Sequence, residues 1–148
     1  MISTDTAVRR DCFAPSNPYA GWRINDTYAP LGTCYLSGPM TGTDNYVRAF
    51  AHAEELALSQ GAKYVVNPAH NQSVTRHLRK DSYLRREEIT APEYALFLAQ
   101  DMAALALCDS ILMLPGWKAS RGATAEHAYS VARGMRVLHI IDGEGEAT

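Results

Sequence analysis

Cysteine is scarce in this sequence and is not spaced for shared chemistry. Cys12, Cys34 and Cys108 stand far apart, and no Cys-x-x-Cys pair occurs. This excludes a disulfide framework and a zinc site of the usual spacing, and it suits reduced thiols in a cytoplasmic protein. Long apolar runs are also missing, since none approaches the ~20 residues of a membrane-spanning helix. The N-terminus lacks the apolar core of a signal peptide. Excess charge of one sign is absent: the net charge is −2, which speaks against general nucleic-acid affinity. The five histidines share no ligand spacing, so no metal is expected. Gly38 and Gly42 fit neither the dinucleotide-binding glycine pattern nor the Walker A pattern, so neither NAD nor ATP is favoured and no cofactor is expected.

What remains is a chain of 148 residues, 47% of them hydrophobic, enough for one domain with a core. Residues 1–31 read as an irregular arm, with Tyr19, Trp22 and Tyr28 available to pack on the domain or on a partner subunit; residues 32–148 form the domain. Thr33–Ser37 reads as the first strand, broken by Gly38-Pro39. A helix capped by Thr43 or Asp44 runs to Gln60, with Gly61 after it; Val47, Phe50, Ala53, Glu54, Ala57 and Leu58 give its inner stripe. Tyr64–Val66 is a second strand. Residues 69–91 are polar and basic, either a solvated insertion or a mobile lid that attracts an anion. Pro92 opens a helix to about Leu107, with Tyr94, Phe97, Leu98, Met102, Leu105 and Cys108 on its apolar face. Asp101 falls on that same face, where a carboxylate needs a partner or a role.

The stretch from Cys108 to Gly134 organises the rest. Ser110–Leu114 is an apolar strand stopped by Pro115-Gly116. A polar loop over Trp117–Gly122 follows, and Lys118, Ser120, Arg121 and Gly122 have the makings of an anion cradle. Ala123–Arg133 then reads as a helix ended by Gly134. This puts Glu126 near the first turn, where free N–H groups favour an ionised carboxylate. Ala123, Ala125 and Ala128 around it would leave room for a ligand. A fourth strand spans Arg136–Ile141, and the tail from Asp142 reads as frayed. Strands alternating with helices predict an α/β fold. The expected form is flavodoxin- or Rossmann-like, with three layers and a parallel sheet of four or five strands in the order 2-1-3-4. Ligand would bind at the carboxyl ends of strands one and three.

The segments Tyr35-Leu36-Ser37-Gly38-Pro39-Met40, Asp101, Asp109 and Ser120-Arg-Gly-Ala-Thr-Ala-Glu126 together resemble the nucleoside 2-deoxyribosyltransferase superfamily. The likeness is close to its nucleoside 5′-monophosphate N-glycosidases. Leu114-Pro115-Gly116-Trp117 resembles a phage and bacterial branch described only as a domain of unknown function. The resemblance implies Glu126 as nucleophile, Tyr35 as the residue that steadies it and Asp101 as the acidic partner. It also implies substrate binding by Ser37, Gly38, Pro39, Met40, Ser120 and Gly122. The expected activity is hydrolysis of a nucleoside 5′-monophosphate to free base and sugar phosphate. Base exchange between nucleosides and nucleotide binding without turnover are the alternatives. A homodimer or higher oligomer is expected, and neither a nucleic-acid nor a membrane partner. The resemblance also shows a departure: Thr41 stands where the monophosphate hydrolases often carry an Arg.

Overall fold

The computed structural model describes residues 17–26, 30–40, 46–69, 91–143 and 146–147. The basic stretch read as insertion or lid falls at 70–90, outside the described residues, as do Cys12, Tyr28 and the expected helix caps Thr43 and Asp44.

Four parallel strands form the centre. β2 (Thr33–Ser37) pairs with β3 (Tyr64–Val66) on one side and with β4 (Ser110–Met113) on the other; β5 (Arg136–Asp142) lies beyond β4. Taken in chain order, this is the expected 2-1-3-4 arrangement. Every residue of β4 is buried, which is why its sequence is a continuous apolar run and does not alternate. Two further segments pair antiparallel with β5: β1 (Arg23–Ile24) and β6 (Glu146–Ala147). The sheet thus has six strands among the described residues. Both additions correct the sequence reading. The arm was expected to be irregular throughout and the tail frayed, and two-residue strands are too short to leave a periodic signal.

α1 (Tyr46–Ser59) buries Tyr46, Phe50, Ala53 and Ala57, a stripe at spacings of four, three and four. Val47 and Leu58, expected in that stripe, are exposed. Tyr46 takes the place of Val47, shifting the stripe by one position. After α1, Gly61 adopts φ +101°, a conformation that favours glycine. α2 (Ala91–Leu105) and α3 (Arg121–Arg133) complete the described helices. At the end of α3, Gly134 has φ +80°; its N–H and that of Met135 donate to the carbonyls of Val131 and Ser130.

Alternation along the strands divides the core in two. Cys34, Leu36, Leu112, Leu114, Leu138 and Ile140 pack with the α1 residues Tyr46, Phe50, Ala53 and Ala57. Tyr35, Ile111 and Met113 pack with Leu105, Cys108, Trp117 and Ala123. The odd residues of β2 therefore face α2 and α3, and this fixes which side of the sheet carries the site. Tyr19 and Trp22 pack against each other and against His52 of α1, which ties the arm to the domain.

Asp109 stands at the opposite end of the sheet. Its Oδ2 accepts from the Thr33 N–H at 2.9 Å, where Gly32 turns at φ +57°. A Cβ on Gly32 would lie 2.4 Å from that oxygen. Asp109 thus secures the start of β2, away from the strands' carboxyl ends.

Candidate active site

The loops after β2 and β4 lie side by side at the carboxyl edge of the sheet. The Leu114 N–H donates to the Ser37 carbonyl at 2.8 Å. A Cβ on Gly38 would fall 2.7 Å from Leu114 Cβ, so only glycine lets the loops approach this closely. On the far side of the seam, Gly116 at φ +86° would bring a Cβ to 3.5 Å from Pro39 Cγ. The chain then makes a short 3-10 turn at Trp117–Ala119 and enters α3 through Ser120.

Ser120 is the N-cap: its Oγ accepts from the Ala123 N–H at 3.1 Å. The helix therefore begins at Arg121, two residues before the expected start at Ala123. Glu126 stands two residues deeper than expected, beyond the first-turn N–H groups, so the helix dipole supports its charge less. Its charge has other support. Glu126 is buried, 5% exposed, on the face of α3 turned to β2. The Tyr35 hydroxyl donates to Glu126 Oε2 at 2.8 Å, and the Ser37 hydroxyl donates to Oε1 at 2.6 Å. Two hydroxyl donors, one to each oxygen, favour the carboxylate form against the cost of burial.

Tyr35 is fully buried. Burial first, then the charges of Glu126 and Asp101, push its phenol far above the usual tyrosine value, so it remains a donor at any accessible pH. The Asp101 charge acts on this phenol as well. Asp101 is 8% exposed on α2. Tyr35 and Ser37 of β2 thus meet Glu126 of α3 directly, and Asp101 of α2 acts on Tyr35 through its charge. The tie between Ser37 and Glu126 was legible in principle, because residues two apart on a strand share a face.

The remaining expected residues are placed differently. Gly38 and Pro39 form the seam. The Met40 side chain is buried with Leu36, Leu114 and Ile140, in the cluster that packs on α1. Gly122 lies in the first turn of α3, beside the Ser120 cap. Ala123 is buried, whereas Ala125 and Ala128 are exposed on the outer face of α3, turned away from the buried Glu126. Cys34 and Cys108 are free, and burial raises each thiol to about 11, well away from a reactive thiolate. Among the described residues, no three of His, Cys, Asp and Glu stand together as a metal-ligand set, and no helix is long and apolar enough to cross a membrane.

A second group of polar side chains adjoins the site, which the sequence reading had not assembled. His127 stacks on Trp117 at 4.3 Å between ring centroids, and His139 of β5 lies 5.9 Å from the same indole.

Neither a curated protein nor a solved structure matches the chain. Residues 32–139 match the family described as a domain of unknown function, DUF4406. That match covers the sheet from β2 into β5 together with Tyr35, Asp101 and Glu126, and the chain belongs to this family.

Proposed function

We propose that the protein hydrolyses the N-glycosidic bond of a nucleoside or deoxynucleoside 5′-monophosphate, with Glu126 as nucleophile. The observation that carries this reading is the buried Glu126 carboxylate, held by separate hydroxyl donors from Tyr35 and Ser37 at 2.8 and 2.6 Å. A carboxylate fixed in this way has lost most of its rotamer freedom and retains lone pairs for attack. Retaining glycoside cleavage needs one such carboxylate and one group that moves protons. Asp101, the second carboxyl whose charge acts on the Tyr35 phenol, is assigned the second role.

The reaction runs in two displacements. A Glu126 oxygen bonds to the anomeric carbon as the carbon–nitrogen bond breaks. The electron pair leaves with the base, which takes a proton from Asp101. Water then attacks the same carbon and gives its proton to Asp101, and the ester bond to Glu126 breaks. The products are free base and sugar phosphate. The 5′-phosphate is assigned to the start of α3, where Ser120 and Gly122 present a hydroxyl and backbone N–H groups. Ser120 Oγ accepts within the helix cap, and its own proton remains free to donate. In this reading the fold is the flavodoxin-like three-layer form, the chain works in the cytoplasm, and it assembles as a homodimer or higher oligomer.

The test is a panel of nucleosides and monophosphates incubated with purified protein, with released base measured. Wild type should release base from a monophosphate. Glu126→Gln, nearly isosteric, should lose several orders of magnitude in turnover while still binding nucleotide. Base exchange outpacing hydrolysis in the presence of a second base would change the reading to a transferase. Near-normal turnover in Glu126→Gln would refute it.

A further inference from the structure

Trp117 is 94% buried by its 6% exposure, yet its indole Nε1 has no hydrogen-bond partner. His139 Nδ1, in the neighbouring ring, is also buried without a partner. Buried polar atoms are rarely left in this state, and two in adjoining rings mark a place where something polar binds. The main chain of His139 is already engaged with Asn25 of the β1 segment: its N–H donates to Oδ1 and its carbonyl accepts from the Asn25 N–H. Only the ring is left to bind. The third ring, His127, lies 6.2 Å from His139, and the Lys118 ammonium stands 5.8 Å from the indole centroid.

The chemistry of these groups decides the class of ligand. An indole N–H can only donate, so it needs an acceptor oxygen. A metal cation would find no ligand in the indole and would be repelled by Lys118. The charged groups that act on His139 from the elements around it are His127 of α3 and Lys118 of the turn; Asn25 of β1 and Met113 of β4, its neighbours across the sheet, carry no charge. Among the described residues, no carboxylate acts on His139. A site of donors and bases, bordered by the exposed Lys118, suits an anion.

We infer that Trp117, His127, His139 and Lys118 form an oxyanion site that binds a phosphate group, on the β5 side of α3 and separate from Glu126. The indole and the imidazoles donate to phosphate oxygens, and Lys118 supplies a mobile counter-charge at the mouth. Protonation of His139 adds a donor and a charge, so anion and proton bind together. Linkage makes the effect reciprocal: bound phosphate raises the proton affinity of His139, and acid strengthens phosphate binding.

The sequence contains two tryptophans, Trp22 and Trp117, so Trp22→Phe leaves a single indole N–H resonance, that of Trp117. Inorganic phosphate is titrated into this protein, with sodium chloride at matched ionic strength as control. A nucleoside monophosphate arm on the Glu126→Gln background separates an ester phosphate from free phosphate. A saturable shift of the Trp117 resonance is expected in at least one phosphate arm and not in chloride. The His139 titration should move up by about one unit, which corresponds to about tenfold tighter phosphate binding to the protonated form. His139→Gln should weaken phosphate binding about tenfold at mildly acid pH. Lys118→Ala, at an exposed position that the fold tolerates, should weaken it as well. A Trp117 resonance unmoved by both phosphates, or moved equally by chloride, would overturn the site and leave the two ring nitrogens to a water molecule. The inference does not depend on Glu126, since an inactive Glu126→Gln protein keeps the indole response.

Discussion

Tyr35→Phe isolates one hydrogen bond at the centre of the site. The ring stays, packing in the fully buried interior changes little, and only the donor to Glu126 Oε2 at 2.8 Å is removed. A hydrogen bond to a charged group contributes roughly 1.5–3 kcal/mol. Most of it supports the ionised form of Glu126, because a protonated carboxyl accepts a weaker bond. Each unit of proton affinity corresponds to about 1.4 kcal/mol, so the Glu126 titration should move up by about one to two units in the variant. The Ser37 donor at 2.6 Å on the other oxygen keeps the shift from being larger. Carbon-13 NMR of the side-chain carboxyls reads this directly and needs no substrate. In the activity assay, the acid limb of the pH–rate profile should move up with it. Tyr35 cannot supply that limb itself, because burial and the two carboxylates hold its own ionisation far above the range. Ser37→Ala should move the titration the same way. A folded Tyr35→Phe protein whose Glu126 titrates where it does in wild type would refute the claim that these hydroxyls hold the carboxylate charged.

Two further predictions follow from packing and from titration. Gly38→Ala places a methyl 2.7 Å from Leu114 Cβ, an atom fixed to the backbone, so the loops must part. A stability loss of about 1–3 kcal/mol is expected in urea unfolding, with reduced activity from the displaced Ser37. For His139, burial and then the charges of His127 and Lys118 lower the ionisation below its ordinary 6.5. The unfolded chain then binds the proton more readily, so stability is full above 6.5 and falls as acid is added. In phosphate-free buffer, His139→Gln should show a smaller loss of urea resistance between about pH 7.5 and about pH 5 than wild type. An equal loss in both proteins would count against a buried neutral His139.

The parallel core was legible because its strands carry local signals. Ser110–Leu114 and Thr33–Ser37 are apolar and end in Pro-Gly or Gly-Pro, and Gly134 stops α3 where a left-handed residue is needed. Glu126 and Tyr35 were legible as site residues, but the physical reason offered for the Glu126 charge was displaced. The start of α3 depends on Ser120 turning its Oγ back to the Ala123 N–H. Arg121 and Gly122 had read as loop, and the helix begins earlier than its apolar pattern. The β1 and β6 pairings were not legible, because two-residue strands are specified by the edge they join. Nor was the Trp117, His127 and His139 group. The β4–β5 register sets His139 opposite Met113, and no spacing in the sequence encodes its meeting with Trp117 and with His127 of α3.

The bonds from Tyr35 and Ser37 to Glu126 span 91 and 89 positions of the chain. Contacts so distant close only after the β2–β4 pairing has joined the two halves. The loop-closure entropy they carry is therefore already spent by the time they form. Such contacts belong to the late side of the folding barrier, where a substitution mainly speeds unfolding and leaves the folding rate nearly unchanged. A burial cost concentrated at the site thus does little to slow the chain on its way to the native state. Its effect is on how long the native state lasts once reached, so a ligand that stabilises the assembled site would act chiefly by slowing its loss.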